Sequence, residues 1–334
     1  MRFIVTGGAG FIGHNVVRQL EAQGHECFVI DSVTDYGFVN REELDYLYKS
    51  RRSRMKASVH HFDLCDRKAV EDFFRTFADK CDAVIHLASF PRQKVVGANP
   101  VWGSEVMATA LVNLLEQTKI NKIPKFVYIS SSMVYGDFKD DVTESAICNP
   151  QGQYGIMKYM GEHLVKDYTR RGVFDHVIIR PSAVYGEYDV EDRVVSKFML
   201  SAMRGETLKV NGANETLDFT YVEDAAAGIV AATLSKQAVN GTYNITKSHS
   251  CSLLQAASLA IKIAGKGKVE VRDKDADFPS RGALNIDAAR RDFSINAMYY
   301  DPSSETVLDY HGGMADMQKK TLRMIGDPAK RYCE

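Results

Sequence analysis

Short apolar runs rich in β-branched residues alternate along this chain with stretches whose apolar positions recur every three or four residues. RFIVTG, ECFVID, ASVHHFDL, DAVIHLAS, KFVYISSS and HVIIRPS are continuous apolar runs, the pattern of strands buried on both faces. Between them GHNVVRQLEAQG, AVEDFFRTFA and VMATALVNLLEQTK carry the helical period. Strand then helix, repeated from residue 2, predicts a parallel doubly wound α/β sheet with right-handed crossovers. After Pro181 the rhythm loosens: DRVVSKFMLSAMRG predicts a helix, ETLDFTYVEDAAAGIVAATLS a short strand and a helix, and GTYNIT a strand that rejoins the sheet. The expected organisation is a dinucleotide-binding domain over 1–181, with 216–245 rejoining it, and a smaller C-terminal α/β lobe for substrate from 182–215 and 246–334.

With 334 residues, 45% of them hydrophobic and 25% charged, the chain is long enough to bury a large core. Lys and Arg number 42 against 43 Asp and Glu, so no overall field draws nucleic acid or an anionic membrane, and a polyanionic ligand must be held locally. The one basic run, KSRRSRMK at 49–56, follows the acidic REELDY and reads as a solvated helix end or loop. Cys27, Cys65, Cys81, Cys148, Cys251 and Cys333 form no CxxC and have no His at ligand spacing, so neither a metal site nor a disulfide framework is expected. MRFIVTGG has no signal core, and no run approaches the roughly eighteen apolar residues of a membrane span. The expected setting is the reducing cytoplasm.

TGGAGFIG at 6–13 follows the first strand and opens the first helix, the context that a glycine pattern by itself lacks. Gly7 can turn tightly, Gly10 can admit a pyrophosphate to the backbone, and Gly13 can let the helix pack closely with its free N–H groups facing the anion. The second strand ends in Asp31, where a carboxylate can accept from adenosine ribose hydroxyls and repel a 2′-phosphate. The residues that follow, Ser32-Val33-Thr34, offer no Arg to neutralise such a phosphate, so NAD is expected rather than NADP. Asp63 and Leu64 end the next strand within reach of an adenine, and Leu87-Ala88-Ser89 are small enough to let a pyrophosphate pass. His86, inside its strand, reads as a packed core histidine.

At the other end of the sheet, KFVYISSSMVYG runs a strand into a polar turn, placing hydroxyls at the carboxyl edge where ligands bind in such folds. QYGIMKY then sets Tyr154 and Lys158 four apart on one helix face. The pair is either a surface contact or a device for moving a proton. A phenol with a pKa near about 10 is a poor base at neutral pH, and a cation held beside it favours the phenolate. With Ser131 relaying a hydrogen bond, such a phenolate takes a hydroxyl proton while hydride leaves the same carbon.

Taken in order, TGGAGFIG, Asp31, FDLCD, HLAS, SSSMVYG, YGIMK, RPSAVYG, LDFTYVEDAAAGI and RGALNIDAARRDF resemble the extended short-chain dehydrogenase/reductases, specifically the NAD-dependent epimerase/dehydratase branch that acts on nucleotide sugars. The resemblance implies a Rossmann-like fold and Ser131, Tyr154 and Lys158 as the catalytic trio, Lys158 also bonding the nicotinamide ribose. It adds Phe11, Ile12, Ser32, Pro181 and Val184 to the cofactor contacts. It further implies a homodimer, with the helix around 104–118 and the helix of Tyr154 packing as a four-helix bundle.

The 4,6-dehydratases of that branch carry Asp-Glu after the catalytic hydroxyl; Ser132-Met133 here can do neither acid nor base work. By the same alignment Met133 faces the sugar ring or simply packs. Ala183 stands where many sugar-nucleotide epimerases have Asn, and Leu217 where they have a diphosphate-binding Arg, which leaves Arg193 and Arg281 as substrate cations or surface arginines. The expected activity is NAD-dependent epimerisation of a nucleotide sugar, by C4 inversion through a transient 4-keto intermediate. A dehydrogenase or reductase releasing the keto sugar is the alternative, and a non-catalytic NAD-binding scaffold or sensor the alternative of another class.

Overall fold

The computed structural model describes residues 1–275 and 278–292, and the backbone of 298–301 and 306–309. Most of the expected lobe beyond Asp292, and Cys333, therefore lie outside the described residues. In chain order the strands are β1 (Arg2–Thr6), β2 (Glu26–Ile30), β3 (Val59–His60), β4 (Ala83–His86), β5 (Lys125–Ile129), β6 (Asp175–Pro181) and β7 (Val184–Tyr185). There follow β8 (Thr207–Asn211), β9 (Thr216–Asp218), β10 (Thr220–Tyr221), β11 (Gly241–Ile245), β12 (Ser250–Ser252) and β13 (Lys268–Arg272). The helices of the first half are α1 (Gly13–Ala22), α2 (Arg41–Arg52), α3 (Arg67–Phe77), α4 (Gln93–Ala98), α5 (Pro100–Ser104) and α6 (Ala110–Ile120). The second half carries α7 (Gly152–Arg170), α8 (Val194–Arg204), α9 (Val222–Leu234), α10 (Leu253–Ala264) and α11 (Asp287–Asp292).

Seven strands form one parallel sheet in the order β11-β6-β5-β4-β1-β2-β3. This is the doubly wound Rossmann-like arrangement expected from the alternating pattern, and the GTYNIT strand does rejoin it as β11 beside β6. The winding reverses between β1 and β4, and such a reversal opens a crevice at the carboxyl ends of the strands. Because strand side chains alternate, Phe3 and Val5 enter the core on one face with α1 and α9, while Ile4 enters the other with α3 and α6. A smaller core lies apart from the sheet, where Phe198 and Ala202 of α8 and Ala257 and Ala260 of α10 close on Leu208 and Val210 of β8.

Two elements depart from the pattern. ASVHHFDL yields only the two residues of β3, because this edge strand pairs on one side alone and 61–64 leave the sheet towards the crevice. The helix expected from VMATALVNLLEQTK is interrupted by a wide π turn over Glu105–Thr109, where the Glu105 carbonyl receives both the Ala110 N–H and the Cys65 thiol. Among the described residues no helix is long and apolar enough to cross a membrane.

A buried ionic network fastens α7 to the sheet. Arg180 of β6 donates through Nε to Glu162 Oε1 (2.8 Å) and through Nη2 to Oε2 (2.6 Å), with both side chains at most 3% exposed. Ser130 donates to the same carboxylate at 2.6 Å, and Arg180 Nη1 reaches the Tyr135 hydroxyl at 2.9 Å, which in turn donates to Asn244 at 2.8 Å. Removing one partner strands the other charge away from water. Arg180→Met is therefore expected to cost about 3–5 kcal/mol, read as a lower denaturant midpoint in chemical unfolding; a shift of a few tenths would contradict this account.

Candidate active site

The crevice is a cleft of about 840 Å³ running from the β1–α1 turn across the sheet to the smaller core. Every site residue expected from the sequence lines it, from Gly7, Gly10 and Asp31 at one end to Arg193 and Arg281 at the other. Tertiary packing has brought together groups separated by up to 274 residues of chain (Gly7 to Arg281).

At the dinucleotide end, Gly7 has φ +69°, and a Cβ there would stand 2.6 Å from the Ala88 nitrogen. Gly13 is tighter still, since its Cβ would meet the Gly7 carbonyl oxygen at 2.1 Å. Asp31 accepts the Ala9 N–H (3.0 Å) on one oxygen and the Val33 N–H (2.9 Å) on the other. Burial pushes its carboxyl up, and those two N–H bonds pull the other way. The sequence suggested no arginine near Asp31, but the basic run is more than a solvated helix end: Arg51 lines the cleft and feels the Asp31 charge. Its guanidinium is committed to the Tyr188 carbonyl by two bonds, from Nε at 3.0 Å and Nη2 at 2.5 Å. Ser89 Oγ, in the wall between the two ends, is buried without a hydrogen-bond partner among the described residues. That orphaned hydroxyl, the glycine turn and the carboxylate at the second strand end make a donor and acceptor set that fits a dinucleotide. His86 is a core residue, as read from its place in the strand: Nδ1 bonds Thr6 Oγ1 at 2.7 Å, and burial lowers it to about 3.

At the chemical end, Ser131 stands at the mouth of β5, its hydroxyl accepting the Met133 N–H at 3.2 Å. Tyr154 is half-buried and Lys158, one turn on, is 4% exposed. The expected electrostatics need correction here. The amine of Lys158 donates to the Ile129 carbonyl at 2.8 Å and lies 5.8 Å from the centre of the Tyr154 ring, not on its hydroxyl. Burial raises the Tyr154 phenol above its usual value, opposed by the Arg193 charge and a hydrogen bond with Ser131. Burial also lowers Lys158 to about 7, with Glu162 pulling it back up. Without ligand the pair is thus a neutral phenol beside an amine that gives up its proton near neutrality, because both sit in a site that penalises charge.

Ser132 and Met133 form the floor, 1% and 6% exposed, and the Ser132 hydroxyl is spent on Ser182 (3.2 Å). The two arginines lie close enough to affect each other's charge. Arg193 is 39% exposed with Nε 3.7 Å from Asp189, while Arg281 has a buried Nε with no hydrogen-bond partner among the described residues and is lowered to about 10 by burial. Ala183 holds φ +34°, a left-handed conformation that Asn tolerates better than Ala. Sequence reading missed Gln93, Arg92 and Asp189, all in the cleft wall. Asp189 is pushed up to about 6 by burial, against the pull of Arg193, Arg51 and Arg92, and keeps one oxygen without a partner among the described residues. Arg92 and Asp189 lie outside the regular elements and Gln93 opens the short α4, none of them within a motif, so no local signal marks them.

The family model described as the NAD dependent epimerase/dehydratase family matches residues 3–246. A second model, the Poly A polymerase head domain, matches 207–323 and overlaps the first where β11 pairs in the main sheet. An uncharacterized UDP-glucose epimerase of Bacillus subtilis is 28% identical over 91% of this chain and 94% of its own. A putative UDP-glucose 4-epimerase of Methanocaldococcus jannaschii is 31% identical over 71% and 75%. Dehydratases are also similar: dTDP-glucose 4,6-dehydratase 1 of Escherichia coli is 31% identical over 73% and 72%. Among solved structures, UDP-glucuronic acid 4-epimerase from Bacillus cereus, in complex with UDP-glucuronic acid and NAD, superposes with TM-score 0.81 at 26% identity, covering 91% of this chain and 96% of that one.

Proton counting gives the site a pH signature. An unfolded lysine holds its proton to about 10.4, whereas folded Lys158 releases it at about 7. Between those values the unfolded state binds more protons, so this residue's contribution to stability rises with pH. Relative to Lys158→Met, the ligand-free wild type is expected to gain denaturant stability from pH 7 to 10. A flat difference between the two proteins would rule out the buried amine.

Proposed function

This chain belongs to the NAD-dependent epimerase/dehydratase family, and from that premise we propose that it is an NAD-dependent nucleotide-sugar epimerase inverting C4 through a transient 4-keto sugar. The observation that carries this reading is the convergence of Ser131, Tyr154 and Lys158 in one cleft whose floor, at Ser132 and Met133, holds no carboxyl group. Expelling water from the neighbouring carbons needs an acid and a base at that floor; oxidising and re-reducing one carbon needs neither.

The glycine turn at Gly7, Gly10 and Gly13, together with Phe11 and Ile12, would hold the pyrophosphate of NAD. Asp31 and Ser32 would take the adenosine ribose, Asp63 and Leu64 the adenine. Leu87, Ala88, Ser89, Pro181 and Val184 would line the path to the nicotinamide, and Lys158 would bond its ribose. Bound NAD would supply a hydride acceptor and a positively charged oxidised ring. Tyr154, raised by burial and held down by the Arg193 charge and its bond with Ser131, would take the proton of the sugar 4-hydroxyl, aided by that added charge. Inversion requires the keto sugar to turn its other face to the returning hydride while Tyr154 gives the proton back. Arg281 and Arg193 suit an anchor that stays put during that turn, because each presents a guanidinium to the cleft and two like charges side by side favour a diphosphate between them.

We infer the subunit arrangement from an exposed face. On α7, Ile156 is 52% exposed in line with Tyr159, Met160 and His163, and on α6 Val112 is 39% exposed. We place a homodimer contact there. The five described cysteines are all free thiols, in keeping with a cytoplasmic enzyme.

Tyr154→Phe is expected to lower turnover of the nucleotide-sugar substrate by roughly 10²–10⁴ while substrate affinity stays close to wild type. Retained turnover would remove the phenol from the mechanism. Wild-type enzyme should interconvert the C4 epimers with no net NADH, whereas stoichiometric NADH would make it a dehydrogenase. Ile156→Asp should give monomers in sedimentation at concentrations where the wild type is dimeric; a variant that stays dimeric moves the contact elsewhere.

A further inference from the structure

Tyr154 is the third residue of α7, and the first-turn N–H groups of a helix have no acceptor within it. The residue before the helix supplies none either. Gln151 makes no cap bond and instead donates through Nε2 to Asp137 at 2.5 Å. The acceptor comes from another part of the chain: Gln93 Oε1, at the start of α4, receives the Tyr154 N–H at 3.2 Å. Glycine at 152 leaves room for that side chain where it lies. A Cβ on Gly152, whose φ is +72°, would stand 1.6 Å from Gln93 Nε2 and 2.5 Å from its Cδ. Since the group facing it is a donor, the amide orientation of Gln93 is fixed. The neighbouring Gln153 binds the same region, donating through Nε2 to the Pro100 carbonyl (2.6 Å) and Ser104 Oγ (2.8 Å). The first turn of α7 is thus held by residues 93–104, which continue directly from the cleft-lining segment 87–92.

We propose that Gln93 is a positioning residue, capping α7 from the connection after β4 and thereby setting the Tyr154 phenol against Ser131. This rests on Tyr154 being the proton carrier. A helix cap contributes about as much as a two- to thirtyfold change in opening of the first turn, typically about fivefold, and here that turn carries the Tyr154 phenol. The cap also links ligand seating along 87–92 to the place of the phenol, through one side chain.

Two variants test it. Gln93→Met keeps the length and removes the acceptor; Gln93→Glu keeps an acceptor oxygen at the same reach. In the methionine variant amide exchange of residues 152–156 should be about fivefold faster, and in the glutamate variant it should return to the wild-type rate. Turnover of Gln93→Met should fall roughly ten- to a hundredfold with KM little changed. Its Tyr154 ionisation, read as the phenolate absorbance missing from Tyr154→Phe, should move to higher pH as the Ser131 bond is lost. Unchanged exchange in Gln93→Met, or faster exchange in both variants, overturns the cap. Faster exchange with unaltered turnover and titration overturns the positioning role. Absence of epimerisation by the wild type would defeat the functional reading instead, and the exchange and titration results would still decide the role of Gln93.

Discussion

The pairing of Arg180 with Glu162, out of reach of water, fixes how α7 lies across the ends of β5 and β6, and the geometry of the site follows from it. Glu162 is one helical turn beyond Lys158 and two beyond Tyr154, while Ser130, which shares the carboxylate, adjoins Ser131. One network therefore sets the spacing of the phenol, the amine and the hydroxyl. Burying two charges is costly and contributes little net stability against an apolar pair of the same size. What it gives here is a single register: a slide of α7 by one turn would leave a carboxylate and a guanidinium unpaired in the core.

Burial leaves the site electrostatically unready. Burial raises the phenol of Tyr154 and lowers the amine of Lys158, so the dry environment that strengthens every charge interaction also discourages the charges themselves. The Arg193 charge across the cleft opposes the rise of Tyr154, and in the mechanism we propose the oxidised ring of the cofactor would add to it.

The smaller core made by α8, α10, β8 and β13 matters for a similar reason. It carries Arg193, at the N-terminus of α8, into the cleft. With Leu217 in place of an arginine and Ala183 held at a positive φ, this end of the cleft is built differently from the pattern its motifs resemble, and Arg193 and Arg281 are the guanidiniums we propose for the diphosphate.

Much of this was legible in the residues themselves. Continuous apolar runs reveal parallel strands because both faces of such a strand are buried, and Gly7, Gly13 and Asp31 reveal a dinucleotide turn because their spacing is set by one strand–turn–helix unit. Tyr154 and Lys158 were recognisable because i and i+4 share a helix face. Each of these signals is local, its physics contained within a few neighbouring residues. The state of the pair was not: that Lys158 donates to Ile129 rather than to the phenol, that Arg51 turns to Tyr188, and that Gln93 supplies the cap α7 lacks all depend on contacts across long stretches of chain. Sequence by itself determined which groups could do chemistry and on which elements they ride. Tertiary structure alone decided their charge and hydrogen-bond partners, because desolvation and pairing depend on what is packed around a group rather than on what precedes it in the chain.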